Sequence, residues 1–115
     1  RRGLVSAPAA FARALLAAHY LLPFCGLRTS TRDSVGARLG RAAHAAGLSL
    51  DAIEATVTIT FPATPAARLE LLRDELDRAL YHAPDAAYPE LERAAKHLPC
   101  DGAPATEAAS LEGGA

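Results

Sequence analysis

The stretch of sequence that decides the fold spans residues 64–80 and reads TPAARLELLRDELDRAL. Thr64 followed by Pro65 is typical of a helix start, because a threonine hydroxyl can accept from the free N–H groups and proline suits the first turn. Leucine and alanine then recur with helical spacing at positions 69, 72, 76, 79 and 80, with charged residues on the other side. The segment therefore predicts an amphipathic helix that buries one face.

Three further segments show the same helical periodicity. They predict helices over 6–22, from Thr31 or Asp33 to about 46, and over 85–98. A helix-breaking residue follows each of them: Pro23, Gly47 and Pro99. The whole helical part of the sequence therefore reads as four amphipathic helices.

The second predicted helix contains two glycines four residues apart, Gly36 and Gly40. Each costs about 1 kcal/mol of helix propensity relative to alanine. We expect close approach of another helix or of the strand to offset that cost. A ligand lying against the bare backbone is the alternative.

One segment predicts a strand. Residues Ala55–Phe61 alternate between threonine and apolar side chains. Buried backbone groups of a lone strand need partners, so pairing across an oligomer interface or with a missing segment is expected. The predicted fold class is α+β, mostly α, with four helices and one strand in the order α-α-β-α-α. Residues 1–100 are predicted to form a single domain, and 101–115, which lack periodicity, a disordered C-terminal tail.

The net charge of −1 hides a strong asymmetry along the chain. Residues 1–50 carry seven arginines and one acid, a balance of +6, whereas 51–115 carry five bases and twelve acids, a balance of −7. Such asymmetry indicates that the two halves attract each other or face different partners.

A candidate binding site follows from the basic half. The segment Arg28–Ser34 places hydroxyls and two arginines at a predicted helix start, where free N–H groups and the helix dipole favour anions. Two more arginines are predicted to project from the helix face opposite the apolar stripe. The candidate anion- or partner-binding residues are Arg28, Arg32, Ser34, Arg38 and Arg41.

Other interpretations of these residues stay open at this point. The segment can be an ordinary capped loop, and the arginines of the helix can pair internally with Glu70, Asp74 or Asp77. Nucleic acid is a third class of partner, against which the pI near 6.5 and the few aromatic residues weigh.

The remaining composition favours a cytoplasmic protein without a cofactor. Two cysteines, Cys25 and Cys100, are too few for a disulfide-rich scaffold. Residues 7–22 form an apolar run, but Arg13 and His19 interrupt it, so a buried helix is predicted rather than a membrane span. The four histidines lie on four different predicted helices and show no metal-ligand spacing, so no metal is predicted.

Two motifs resemble a known enzyme family. Residues 47–54, GLSLDAIE, lead into the Val/Thr segment after a helix downstream of Cys25, and residues 91–100 read LERAAKHLPC. Together they resemble the central part and the second-cysteine helix of OsmC-like hydroperoxide reductases. The resemblance implies a thiol-dependent enzyme with Cys25 as the peroxidatic thiol and Cys100 as the resolving one.

The sequence thus supports two hypotheses of different class. The first is a non-enzymatic protein-interaction or oligomerisation domain, or a small subunit of a larger complex, that binds an anionic group or an acidic partner through a basic helix face. Its expected partners are further copies of itself or another protein, without a membrane. The alternative is the thiol-dependent enzyme, and the pKa and access of Cys25 discriminate the two, because a catalytic thiol needs a depressed pKa and an open path.

Overall fold

The computed structural model describes residues 6–48 and 60–99, which fold into a bundle of four α-helices. The helices are α1 (Ser6–Leu21), α2 (Thr29–Ala45), α3 (Pro65–His82) and α4 (Tyr88–Lys96). A single 3-10 turn, Leu22–Phe24, extends α1 at its end. No helix among these residues is long and apolar enough to cross a membrane.

The predicted α+β fold class is wrong for the part of the chain that the structure describes, which contains helices, turns and loops and no strand. Most of the predicted strand Ala55–Phe61 lies outside the described residues, and its last two residues, Thr60 and Phe61, belong to a loop. The physical reason is that alternation alone does not make a strand, since its N–H and C=O groups need a second strand to bond. The predicted tail 101–115 also lies outside the described residues.

Two of the predicted helix ends are confirmed by the structure. The Thr64 hydroxyl accepts a hydrogen bond from the N–H of Ala67 at 3.1 Å, and Pro65 opens α3 as predicted. Gly47 adopts φ of +76°, a conformation that favours glycine, and the N–H of Leu48 donates to the carbonyl oxygen of Ala43 at 2.8 Å. This closing pattern ends α2 at the predicted residue.

Two helix starts differ from their prediction. α2 begins at Thr29, ahead of both proposed caps, because the N–H of Arg32 already donates to the carbonyl oxygen of Arg28 at 2.9 Å. α4 begins at Tyr88 rather than after Asp85, because Pro84 starts a turn that the N–H of Ala87 closes at 2.9 Å. The polar side chains near these two helix starts therefore indicate the approximate position of each start, but not the residue at which the helix begins.

The four helices pack around one apolar core. α1 packs mainly on α3 and α2 mainly on α4, with further contacts between α1 and α2 and between α3 and α4. In the described residues no Cα atom of α2 lies within 8 Å of a Cα atom of α3, so the two helices lie diagonally across the bundle. The predicted apolar stripes supply the core, whose large members include Phe11, Leu15, Leu39, Leu69, Leu72, Leu76 and Leu91. Each buried leucine contributes about 1.5–3 kcal/mol.

The two glycines of α2 have different surroundings. A Cβ at Gly36 would lie 3.4 Å from Cδ2 of Leu22, an ordinary packing distance, so there is room for a Cβ and the neighbour does not require glycine there. Nothing described lies within 4 Å of a Cβ at Gly40. Packing within the described bundle therefore does not explain either glycine.

Candidate functional site: an arginine cluster between α2 and α4

Arginines of the basic half meet an acid of the acidic half where α2 packs on α4. Arg38 and Arg41 are one turn apart on α2, and both reach Oε1 of Glu90 in the first turn of α4, at 3.2 Å from Nη1 and 3.4 Å from Nε respectively. Arg93, one turn further along α4, places Nη1 3.7 Å from Oε2 of the same carboxylate. We call Arg38, Arg41 and Arg93, together with Glu90, the arginine cluster.

The arginine cluster carries more positive charge than it neutralises. Three guanidinium groups surround one carboxylate, which leaves two positive charges in excess. The side chains of Arg38 and Glu90 are 23% and 22% exposed, whereas those of Arg41 and Arg93 are 55% and 58% exposed. Nε of Arg38 is buried and has no hydrogen-bond partner in the described structure. The exposed guanidinium groups of Arg41 and Arg93 therefore offer N–H donors and positive charge to a second anion.

The ionisation of Glu90 follows from these contacts. Desolvation acts to raise its pKa, but the hydrogen bond and charge of Arg41, the hydrogen bond of Arg38 and the charge of Arg93 outweigh that effect and lower the pKa below its usual value. Glu90 is consequently a carboxylate at neutral pH and stays one in mild acid. The cluster keeps its ion pairs over that whole range.

The structure divides the five predicted site residues into two groups. Ser34 and Arg38 are four residues apart on one flank of α2, and Arg41 follows on the same side. Arg32 lies about 120° around the helix from Arg38, by the rotation of 100° per residue, and its Nε is 3.9 Å from Oδ1 of its neighbour Asp33. Arg28 is exposed at the N-cap of α2. The predicted site thus separates into a helix start and a flank.

The prediction that Arg38 projects opposite the apolar stripe of α2 is wrong. Its side chain lies half-buried on the flank of α2 that α4 covers. The sequence also did not identify Glu90 and Arg93, because the internal partners it offered, Glu70, Asp74 and Asp77, belong to a helix that α2 does not contact. Glu90 and Arg93 belong to the polar face of the fourth predicted helix. The sequence pattern does not indicate which other helix packs beside that face.

The thiol of Cys25 lacks the properties of a catalytic nucleophile. Its side chain is buried, and Sγ donates to the carbonyl oxygen of Leu21 at 3.2 Å. Burial raises the pKa of Cys25 to about 12, against the opposing charge of Arg68. A peroxidatic thiol requires a lowered pKa and access to solvent. Its expected partner Cys100 lies outside the described residues.

Arg68 ties two loops to the start of α3. Its Nε donates to the carbonyl oxygen of Pro62 at 2.8 Å, and its two Nη atoms donate to those of Phe24 and Ala63 at 3.3 and 3.4 Å. The rings of Phe24 and Phe61 meet edge to face, with centroids 5.2 Å apart, and both are partly exposed. This arrangement fixes where the chain enters α3.

The rest of the described bundle offers weaker candidates for a binding site. An open cavity of about 250 Å³ lies between α3 and the end of α4, but its charged lining residues, Arg73, Asp77 and Lys96, are of both signs. Among the residues described, no group of three or more His, Cys, Asp and Glu side chains is arranged to hold a metal ion. The arginine cluster is therefore the best-defined candidate site.

Comparison with known proteins finds no matching family, no similar curated protein and no similar solved structure.

Proposed function

We propose that this chain is a non-enzymatic protein-interaction domain whose arginine cluster binds an acidic partner. The observation that carries the proposal is the ratio of three guanidinium groups to one carboxylate at the contact between α2 and α4, with two of the three guanidinium side chains exposed. The proposed setting is cytoplasmic, which the thiol of Cys25, a free cysteine in the buried core, supports.

The form of the arginine cluster suits carboxylate groups. A guanidinium presents its N–H donors in a planar fork that matches a carboxylate with two parallel hydrogen bonds. Arg41 and Arg93 reach solvent from two different helices, while the half-buried Arg38 and Glu90 hold the base of the site in place. Charges in such partly buried positions are screened less by salt than fully exposed ones.

The alternative hypothesis, a thiol-dependent enzyme, receives little support from Cys25. Its raised pKa and its buried position favour an inert structural thiol over a nucleophile. The acidic-partner hypothesis needs no group in an unusual protonation state.

The experiment titrates the protein with fluorescently labelled hexaglutamate and follows the anisotropy. The double variant Arg41→Gln/Arg93→Gln removes the two exposed charges of the cluster, and we expect the affinity to fall by about tenfold or more. Arg78→Gln is a control for the loss of one exposed arginine outside the cluster, because Arg78 is as exposed as Arg41 but pairs with Glu75 on α3 at 2.8 Å. This control is expected to bind hexaglutamate as the unmodified protein does.

A variant with the opposite effect makes the test specific. Glu90→Gln removes the internal carboxylate that competes for the three arginines, so it is expected to tighten hexaglutamate binding. Added salt is expected to weaken binding in every variant that binds. Equal affinities for the unmodified protein, the double variant and Glu90→Gln would contradict the proposal, as would an unmodified protein that does not bind hexaglutamate.

A further inference from the structure

We propose that the acidic partner of the arginine cluster is a second copy of this chain, which presents the outer face of α3. The inference rests on the proposed function and names its partner. Three observations support the inference. Carboxylates form an exposed line on α3, this line does not pair with the arginine cluster within one molecule, and the two surfaces carry charges of opposite sign.

The acidic residues of α3 form a regular line. Glu70, Asp74 and Asp77 follow one another at intervals of four and three residues, which places them within about 60° of one another around the helix. All three are exposed, and none of them is paired with a residue in the described part of the chain. We call these three residues the acidic stripe.

Two bases beside the acidic stripe on α3 are engaged elsewhere, whereas Lys96 of α4 lines the open cavity that Asp77 also borders. Arg78 donates from Nη1 to Oε1 of Glu75 at 2.8 Å, away from the stripe. Nη1 of Arg73 donates to the carbonyl oxygen of Pro99 beyond the end of α4. One turn beyond Asp77, Tyr81 continues the same face and is 85% exposed. The stripe therefore presents its negative charge to solvent.

The acidic stripe and the arginine cluster do not neutralise each other within one molecule. No Cα atom of α2 lies within 8 Å of a Cα atom of α3 in the described bundle, because each of these helices packs on α1 and α4. Among the acids that the structure describes in residues 60–99, only Glu90 on α4 pairs with the arginine cluster. Within the described bundle the excess positive charge of the cluster and the negative charge of α3 therefore do not pair with each other. Contact between molecules satisfies both.

This arrangement determines the form of the assembly. The contact is heterologous, because the arginine cluster of one copy meets the acidic stripe of another. It generates chains or rings when the two surfaces of one molecule engage different neighbours. Its strength depends on exposed charges, so the assembly is expected at high protein concentration and low salt.

The test reverses the charges one surface at a time. Variant one is Arg41→Glu/Arg93→Glu, variant two is Asp74→Lys/Asp77→Lys, and the mass in solution is measured by sedimentation velocity in low-salt buffer over a range of protein concentration. The unmodified protein is expected to gain mass with concentration beyond a dimer, and each variant alone is expected to remain a monomer. An equal mixture of the two variants is expected to associate again, because each then meets a surface of opposite charge.

A matched control separates position from net charge. Asp85→Lys/Glu92→Lys makes the same change in net charge as variant two at exposed positions outside the acidic stripe, and it is expected to associate as the unmodified protein does. Circular dichroism at 222 nm of each variant alone shows whether it is folded. If a reversed variant does not fold, Arg41→Gln or Asp77→Asn replaces it, and each of these is expected to lower the mean mass.

Two results would overturn the inference. One is an unmodified protein that stays monomeric at millimolar concentration in low salt, and the other is a mixture no heavier than its separate variants. Hexaglutamate binding distinguishes this failure from a failure of the proposed function. A monomer that binds hexaglutamate through the arginine cluster retains the proposed function with a different acidic partner, whereas a monomer that does not bind it contradicts both.

Discussion

Replacing Gly40 by alanine is expected to stabilise the protein. Gly40 lies inside α2, exposed to solvent, and its φ is not in the left-handed region, so alanine can adopt its backbone conformation without strain. Nothing described lies within 4 Å of the added Cβ. Alanine also restricts the unfolded chain more than glycine does, which favours the folded state.

The magnitude follows from the environment of each glycine. At Gly40 the gain in the free energy of unfolding is about 1 kcal/mol, the full difference in helix propensity. At Gly36 the new Cβ would meet only the end of the Leu22 side chain at 3.4 Å, so Gly36→Ala is expected to gain nearly as much. At Gly47, with φ of +76°, alanine is expected to cost about 1 kcal/mol.

The assay is thermal unfolding followed by circular dichroism at 222 nm. For a chain of 115 residues, a gain of about 1 kcal/mol raises Tm by about 4 °C. Gly47→Ala serves as the control of opposite sign. A lower Tm for Gly40→Ala would refute the reasoning, because it would mean that something covers this part of α2 in solution. Repeating the melt at several protein concentrations would then show whether a second copy is what covers it.

Four further outcomes are expected. Leu76→Ala should lower the free energy of unfolding by about 2–5 kcal/mol in urea titrations, because Leu76 is fully buried in the core; a loss below 1 kcal/mol would contradict that position. Arg68→Ala should cost about 1–3 kcal/mol, and Arg68→Lys should not restore it, because an ammonium group cannot donate to three separated carbonyl oxygens in one plane. Mass-mapped alkylation of Cys25 should be slow at pH 8 and become fast only in denaturant, since its thiol is buried with a pKa of about 12; rapid labelling of the native protein would favour the enzyme hypothesis. The lowered pKa of Glu90 stabilises the fold above the ordinary carboxyl pKa of 4.5, and this contribution is lost as the pH falls through the lower folded value, so Glu90→Gln should flatten the acid limb of the stability profile.

Local features of the sequence determined the four helices and some of their ends. Thr64 and Pro65 mark the start of α3, Gly47 closes α2, and the apolar stripe at Leu69, Leu72 and Leu76 faces the core as predicted. These features depend on hydrogen bonds that close within about four or five residues and on a helical period that any amphipathic segment must keep. They need no knowledge of the rest of the chain.

Tertiary structure decided the features that depend on which helices meet. The alternation of Ala55–Phe61 indicates a strand only if another strand completes its hydrogen bonds, and the described residues supply none. The ion pairs of Arg38 and Arg41 join positions about fifty residues apart in sequence, and only the packing of α2 on α4 brings Glu90 within reach. The charge of a residue, which the sequence gives, determines the kind of group that its side chain can bind. Which charge it meets depends on how the buried faces pack, because the energy of burying the core is much larger than that of any exposed ion pair.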